Sequence, residues 1–334
     1  MAEELQVADL RPAEPALGGQ AERTTTLSVV VCAYTTRRWT DICRAAESVL
    51  SQQWPVTELI LVIDHCDELY DRACDRFGGD ERVLIRRNVE APGLSGARNT
   101  GVAAAHGDVI AFLDDDASAD ADWASTLMQH YQDPRVAVVG GYAAPVWPGV
   151  RPPWMPAEFD WVVGCSYPGQ PTRLGPVRNP IGCNMSIRRA VFDVVGGFRS
   201  EVGRIGSTPV GGEETELCLR IGSHPSTNQI LFDPEMRVQH YVSSDRATLK
   251  YFTRRCYHEG LSKAVVSELT KTSQALSTER AYVRQVLPRA VGRELASKRT
   301  AGLARAAVIV LGLSVTSAGY LRAKVGRRLS GAAA

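Results

Sequence analysis

Between residues 27 and 142, short apolar runs alternate with amphipathic ones, and few folds accept that alternation. "LSVVVCAY" (27–34) reads as a buried strand, and "DICRAAESVLSQQ" (41–53) places Ile42, Ala45, Ala46, Val49 and Leu50 on one helical face. "ELILVID" (58–64) is a second strand and "RVLIRRN" (82–88) a third. "GLSGARNTGVAAAHG" (93–107) is a helix, "DVIAFLDDD" (108–116) a fourth strand and "RVAVVGGY" (135–142) a fifth. Strands separated by helices of this length imply an α/β fold with a mostly parallel central sheet flanked by helices, since parallel neighbours need long crossovers. In such sheets ligands bind at the carboxyl ends of the strands.

That rule gathers several polar groups at one edge. Tyr34 and Thr35 end the first strand, Asp64 ends the second, Asp114, Asp115 and Asp116 end the fourth, and Arg98 opens the intervening helix. One Asp is explained by its preference for turns. Three adjacent carboxylates repel one another and must lie in water or share a cation. No G-x-G-x-x-G follows the first strand and no G-x-x-x-x-G-K-[ST] occurs, so a dinucleotide or P-loop site is excluded. Hard divalent ions take carboxylate oxygens, so a diphosphate bridged to Asp through Mg2+ or Mn2+ is the chemistry these residues serve.

Five stretches carry a resemblance: "LSVVVCAYTTRR", "SVLSQQWPVTELILVIDHCDE", "APGLSGARNTGVAAAHGDVIAFLDDDA", "IGCNMSIRRAVFDVVGGF" and "GGEETELCLR". In this order and spacing, over residues 27 to about 245, the chain resembles a family 2 glycosyltransferase with the GT-A nucleotide-sugar-binding fold. The resemblance implies that the backbone around Ala33 and Tyr34, with Asp64, holds the nucleotide base. Arg98 and Asn99 would face ribose and diphosphate, Asp114 the ribose and donor sugar, and Asp116 the metal, with Asp115 between them. His240, in "RVQHYV", falls where relatives place a further metal ligand, although a lone histidine is as often structural. Asn184 matches a position near donor sugar and acceptor.

"GGEETE" would supply the base that inversion at an anomeric carbon requires. By motif position this is Glu214, with Glu213 as the fallback. Acids in a helix's first turn are also favoured by the helix dipole alone. Two departures stand out. Ile63-Asp64 replaces the family's Asp-Asp and His65-Cys66 its Gly-Ser, so uridine is not implied; Glu213-Glu214 replaces Glu-Asp. Two other readings stay open: a nucleotide-sugar-binding protein without transferase activity, and a sugar nucleotidyltransferase. The absence of a Gly-rich, Arg-containing loop after the first strand speaks against the second.

The rest of the chain suggests the acceptor. Residues 144–186 are dense in Pro, Gly and Trp, and an irregular segment of that length is usually a functional loop. Trp147, Trp154 and Trp161 either offer faces to sugar or lipid or anchor the loop. "RATLKYFTRRCYHEGLSKAVVSEL" (246–269) reads as a helix with Leu249, Phe252, Cys256, Tyr257, Leu261, Ala264 and Val265 on one side. Its Arg254, Arg255 and Lys263 lie near the acidic site, where one could neutralise the leaving diphosphate.

Net charge is +1 over 334 residues, but residues 281–334 hold ten basic residues against one acid, leaving about −8 for the remainder. The uncharged run 306–321, 16 residues long and bracketed by Lys and Arg, is shorter than the ~20 residues of a membrane span. It suits a helix lying in an anionic membrane face, or one packed on its own domain.

Residues 1–25 read as a disordered segment, 26–245 as the catalytic domain and 246–334 as a basic helical extension. Eight cysteines without a C-x-x-C pair, and no apolar leader, place the chain in the cytoplasm, at the cytoplasmic face of the membrane if the tail binds there. The expected partners are a nucleotide-sugar donor and a glycan or lipid-linked acceptor, with peripheral membrane contact through the tail and no nucleic acid.

Overall fold

The computed structural model describes residues 25–200, 211–224, 229–270 and 276–331, with side chains described to residue 325. The expected disordered segment 1–25 lies, except for residue 25, outside the described residues. In chain order the elements are β1 (Leu27–Ala33), α1 (Trp39–Leu50), β2 (Glu58–Ile63), α2 (Asp67–Phe77), β3 (Val83–Arg87), α3 (Leu94–Ala104), β4 (Val109–Asp114), β5 (Ala117–Ala119), α4 (Trp123–His130) and β6 (Val136–Val146). β7 (Gly175–Pro176), β8 (Asn184–Arg188), α5 (Arg189–Val195), α6 (Glu213–Ser223) and β9 (Gln229–Tyr241) follow. The extension contributes α7 (Leu249–Thr270), α8 (Ser277–Ala281), α9 (Leu287–Ala296) and α10 (Thr300–Gly331).

The sheet runs β3-β2-β1-β4-β8-β6-β9-β5, with β7 on β9. Its first four strands are parallel, as the crossover helices require, with Val30 set between Ile60 and Phe112. Beyond β4 the pairing is mixed: β8 is antiparallel to both β4 and β6, and β9 returns parallel to β6. The near-continuous apolar strands follow from burial on both faces. Leu27, Val29, Val31 and Ala33 of β1 pack with α1, α2 and α4, while Val30 on the opposite face packs with α3, α5 and α6. All of these are removed from solvent.

A third core joins the extension to the sheet domain. Met155, Phe159, Val162 and Val163 of the loop after β6 pack on Phe252 and Cys256 of α7, Leu287 and Ala290 of α9, and Val308 and Ile309 of α10. α7 and α10 cross backbone to backbone at glycines. A Cβ on Gly260 would lie 2.0 Å from the Thr316 carbonyl, and one on Gly319 2.2 Å from that of Tyr257. The expected one-sided face of α7 is corrected here. Phe252, Cys256 and Ala264 are buried, but so are Tyr251, Gly260, Ser262 and Val266, whereas Leu249 is exposed, because α7 is covered on more than one side. α10 extends well past the 16-residue apolar run, and Thr300–Val325 is long and apolar enough to cross a membrane. One side of it nevertheless packs on α7 and α9, and among its described side chains Leu303, Val310, Leu311, Leu321 and Val325 present large apolar groups to solvent.

Candidate active site

Two cavities meet at the carboxyl ends of β1, β2 and β4. The smaller is lined by Ala33, Tyr34, Arg38, Asp64, Gly93, Leu94, Asp114, Asp115, Asp116 and Arg246. The larger, about 580 Å3, shares Leu94 and Asp114 with it and runs past Arg98, Glu213 and Glu214 to α7, α8 and α10. Asp114 therefore stands at a junction, with the aspartate triplet on one side and the glutamate pair on the other.

Asp64 sits where β2 ends. Its Oδ1 accepts from Asn88 Nδ2 (2.7 Å) and its Oδ2 from the Gly93 N–H (2.9 Å), which ties the strand end to the start of α3. His65, the next residue, takes a left-handed φ of 51° and bonds the same carboxylate through Nδ1. From α3, Arg98 is almost wholly buried and reaches three groups: Glu213 Oε1 at 3.1 Å, the Gly182 carbonyl at 3.0 Å and Asp114 Oδ1 at 3.4 Å. It joins the two halves of the site electrostatically.

The triplet is not left to water. Asp115 accepts from Arg38 at 2.7 Å, and burial pushes its carboxyl up to about 7 while Arg38 pulls the other way. Asp116 lies between Arg38 (3.2 Å), Arg246 (3.1 Å) and His240 Nε2 (3.2 Å). Burial holds the His240 imidazole below its usual range, hence in the neutral form that ligates metals. Two ligands in neighbouring octahedral positions at about 2.1 Å from an ion are about 3 Å apart, so Asp116 and His240 fit a shared divalent cation. Asp114, Cys183 and His240 likewise bring ligand atoms within 4.8 Å of one another. Burial holds the Cys183 thiol protonated, which leaves carboxylates and one imidazole, a donor set that suits Mn2+ better than the all-oxygen preference of Mg2+.

α6 begins at Gly212, whose φ of 106° favours glycine, and the sharp turn presents both glutamates to the large cavity. Glu213 is buried and held by Arg98, with Oε2 unpartnered. Glu214 is half-buried; burial and then the charge of Glu213 push it up to about 7, against the opposing pull of Arg98.

Two expected site residues lie elsewhere. Asn99 clasps the backbone of Phe198, donating to its carbonyl (2.9 Å) and accepting its N–H (2.8 Å), so it steadies the end of α5 and does not line either cavity. Asn184 is fully buried, donating to the carbonyls of Tyr142 and Met236 and accepting from Trp123 Nε1 at 2.8 Å. It locks β8 to its neighbours and has no face left for a sugar. Among the tryptophans, Trp161 lines the large cavity, while Trp154 packs edge-on against Phe252 and Trp147 lies under Arg151. Arg254 is exposed, and Arg255 and Lys263 reach the cavity wall.

Sequence reasoning missed Arg38, Arg246, Cys183 and Arg178. Arg38 had a signal, since it lies in the short turn between the first strand's carboxyl end and α1. Arg246 follows β9, whose path back to the site is not readable from composition.

The glycosyl transferase family 2 model matches residues 28–196. The chain is 35% identical over 262 residues to the glucosyl-dolichyl phosphate glucuronosyltransferase of Haloferax volcanii, covering 78% of this chain and 83% of that protein. It is 29% identical over 169 residues to the succinoglycan biosynthesis protein ExoM of Rhizobium meliloti, half of each chain. Among solved structures, a mannosyltransferase of Pyrobaculum calidifontis in complex with GDP-Man and Mn2+ superposes with a TM-score of 0.56 over 88% of each chain at 15% identity. GalNAc-T7 with UDP, GalNAc and Mn2+ gives 0.51 over 84% of this chain and 59% of that one, at 18% identity. The two structures share the GT-A fold with this chain.

Proposed function

The chain belongs to glycosyl transferase family 2, and from that premise we propose an inverting, metal-dependent enzyme that moves a sugar from a nucleotide-sugar donor to a lipid-linked acceptor. The observation that carries this reading is the junction at Asp114, where a carboxylate-lined pocket at the strand ends opens into a larger cavity bearing two glutamates. The backbone at Ala33 and Tyr34, with Asp64, receives the base, and Asp114 faces ribose and donor sugar. Asp116 and His240 would hold a divalent ion, which would supply charge neutralisation for the departing diphosphate. Arg38 and Arg246, now turned onto Asp116, are placed to transfer their donors to diphosphate oxygens.

Glu214 takes the proton of the acceptor hydroxyl. Its raised pKa suits that role, because a base titrating near the working pH combines ionisation with proton affinity. Arg98 holds Glu213, and no ion pair of this kind ties Glu214 among the described residues. A lipid-linked acceptor is supported by the 35% identity to a protein named for a dolichyl-phosphate-linked sugar, and by the apolar stripe that α10 exposes among basic residues. The same stripe supports residence at the cytoplasmic membrane face.

The test is a thermal-shift screen of nucleotide sugars with and without Mn2+, followed by hydrolysis and transfer assays on each hit. A Mn2+-dependent shift with turnover is expected. Binding with neither hydrolysis nor transfer would leave a nucleotide-sugar-binding protein instead.

A further inference from the structure

We infer that Asp114, Cys183 and His240 form a three-ligand site for Zn2+, whose filling shuts the active site against the donor's metal ion; the shutting rests on the transferase reading above, the binding on geometry alone. Strand register sets the three side by side. β4 pairs antiparallel with β8 at Leu113 and Asn184, so Asp114 and Cys183 are the next residues on facing chains, and β9 brings His240 opposite Ala117, just past the aspartate triplet. Their carboxylate oxygen, sulfur and ring nitrogen all lie within 4.8 Å of one another. Corners of a zinc tetrahedron are about 3.3–3.6 Å apart, from bonds of about 2.0–2.3 Å, so no pair has more than about 1.5 Å to close.

Gly164 builds the cradle. Its carbonyl accepts from the Cys183 thiol at 3.4 Å, and a Cβ on it would lie 3.1 Å from His240 Nε2, at a φ of 86° that favours glycine. One residue thus holds the thiol and lets the loop close on the imidazole. His240 keeps Nε2 on Asp116 at 3.2 Å, while its Nδ1, buried, has no hydrogen-bond partner among the described residues. Arg98 approaches Asp114 only to 3.4 Å, longer than the ~2.7–2.9 Å of a charge-assisted bond, so that carboxylate can turn to an ion. Cys183 and His240 are buried, and Asp114 opens on both cavities. Two ligands fixed in the wall and one at the mouth leave a fourth position for water from the cavity, the pattern of an open zinc site.

The thiol separates the ions. Mn2+ is served by oxygen and imidazole and leaves the S–H bond intact, whereas Zn2+ stands higher in the Irving–Williams order and takes sulfur. On binding, a Zn–S bond replaces the S–H bond and one proton passes to solvent, with no change of oxidation state. Zn2+ held in this way occupies His240, which the donor's ion requires, and Asp114, which faces the donor sugar.

The probe is Co2+, which reports thiolate ligation by a sulfur-to-metal charge-transfer band in the near ultraviolet; it is titrated into the full chain without donor and then displaced by Zn2+ or Mn2+. The band should form and should yield to Zn2+ at about a hundredfold lower concentration than to Mn2+. Cys183→Ser should abolish the band and lower that preference about tenfold or more. Cys165→Ser, which removes the neighbouring buried thiol, should keep both. Wild-type protein that takes up Co2+ without the band, or a band that follows Cys165 and not Cys183, would overturn the site, and the first of these results needs no variant. Transfer assays on the same samples separate the two halves. Mn2+-supported turnover should fall as Zn2+ is added, less steeply in Cys183→Ser, and should return with excess Mn2+. Turnover untouched by Zn2+ that fills the site would overturn the shutting. If no donor turns over with any ion, the transferase reading falls and the zinc site stands on its band.

Discussion

Replacing Glu214 by Gln should slow transfer and stabilise the fold in the same protein. The side chain is half-buried beside Glu213, and burial with that neighbouring charge pushes its pKa up to about 7 from 4.5. The folded state thus holds the proton more tightly than the unfolded chain does. The sign follows from linkage: stability falls as pH rises from about 4.5 through about 7, because folding then requires an ionised carboxyl in a poor environment. The shift corresponds to about 3 kcal/mol at one unit per 1.36 kcal/mol, and partial exposure reduces this to about 1–2 kcal/mol.

Glu214→Gln removes that cost, so at pH 8 it should melt above wild type by a few degrees, while the two proteins converge below about pH 5. Catalysis moves the other way, with a loss of about 10²- to 10⁴-fold in kcat at unchanged donor affinity. In the wild type, kcat should rise about tenfold per pH unit below 6 and level off above about 7. Glu213→Gln, which removes the neighbouring charge, should shift that rise to lower pH. Transfer rates from pH 5 to 9 and melting curves at the same pH values are the assays. A Glu214→Gln protein with wild-type rate, and a Glu213→Gln protein without it, would move the base to Glu213. A profile that Glu213→Gln leaves in place would refute the electrostatic argument.

Four further outcomes are expected. Asp116→Asn should abolish Mn2+-dependent nucleotide affinity in calorimetry and, because Arg38, Arg246 and His240 lean on that carboxylate, cost about 3–5 kcal/mol of stability; unchanged Mn2+ dependence would remove Asp116 from the metal site. Asn184→Ala should lose about 2–4 kcal/mol in denaturant melts through three buried hydrogen bonds, yet keep donor KM within about threefold where it folds; a large KM change would return Asn184 to the sugar site. Burial opposes the ionisation of Glu259 and Glu279, but Lys263, with Arg255 and Arg178, holds both down to about 2, so their stabilisation is complete above about 4.5 and disappears as pH falls toward 2; Lys263→Met should raise the midpoint of acid unfolding, and an unchanged acid limb would contradict this. Leu303→Glu with Val310→Glu and Leu321→Glu should abolish flotation with anionic vesicles at unaltered melting temperature, and retained flotation would remove α10 from the membrane.

The gathering of Asp64 and the aspartate triplet at one edge was legible because strand periodicity and strand ends are local. Leu27 to Ala33 announces a strand buried on both faces, and Asp64 and Asp114 must then fall at one edge. Asn99 and Asn184 misled because a motif position does not record which way an amide faces. Asn184 begins β8 at a point where Tyr142, Met236 and Trp123 all offer partners, and only the tertiary pairing of β8 with β4 and β6 creates that arrangement. The pairing of Asp116 with Arg38 and Arg246 is equally non-local, and its Arg246 half depends on the course of β9. The sidedness of α7 failed for a related reason: one helix wheel cannot describe a helix covered by α10 along one side and by α6 and the loop after β6 elsewhere.

The boundary drawn at residue 245 separates motifs, not functions. Everything that would touch the donor lies before it except Arg246, whereas much of the large cavity's wall lies after it, on α7, α8 and α10. The motifs therefore cover the smaller cavity, while the extension walls much of the larger one. It also follows that α10 is not a detachable anchor. Val308 and Ile309 are buried against Phe159 and Phe252, and a Cβ at Gly312 would lie 2.4 Å from the Phe159 ring, so removing the helix would expose the third core together with one wall of the cavity. If α10 rests on a lipid surface by its outer stripe, its inner residues Leu313 and Thr316 line the cavity from the same helix.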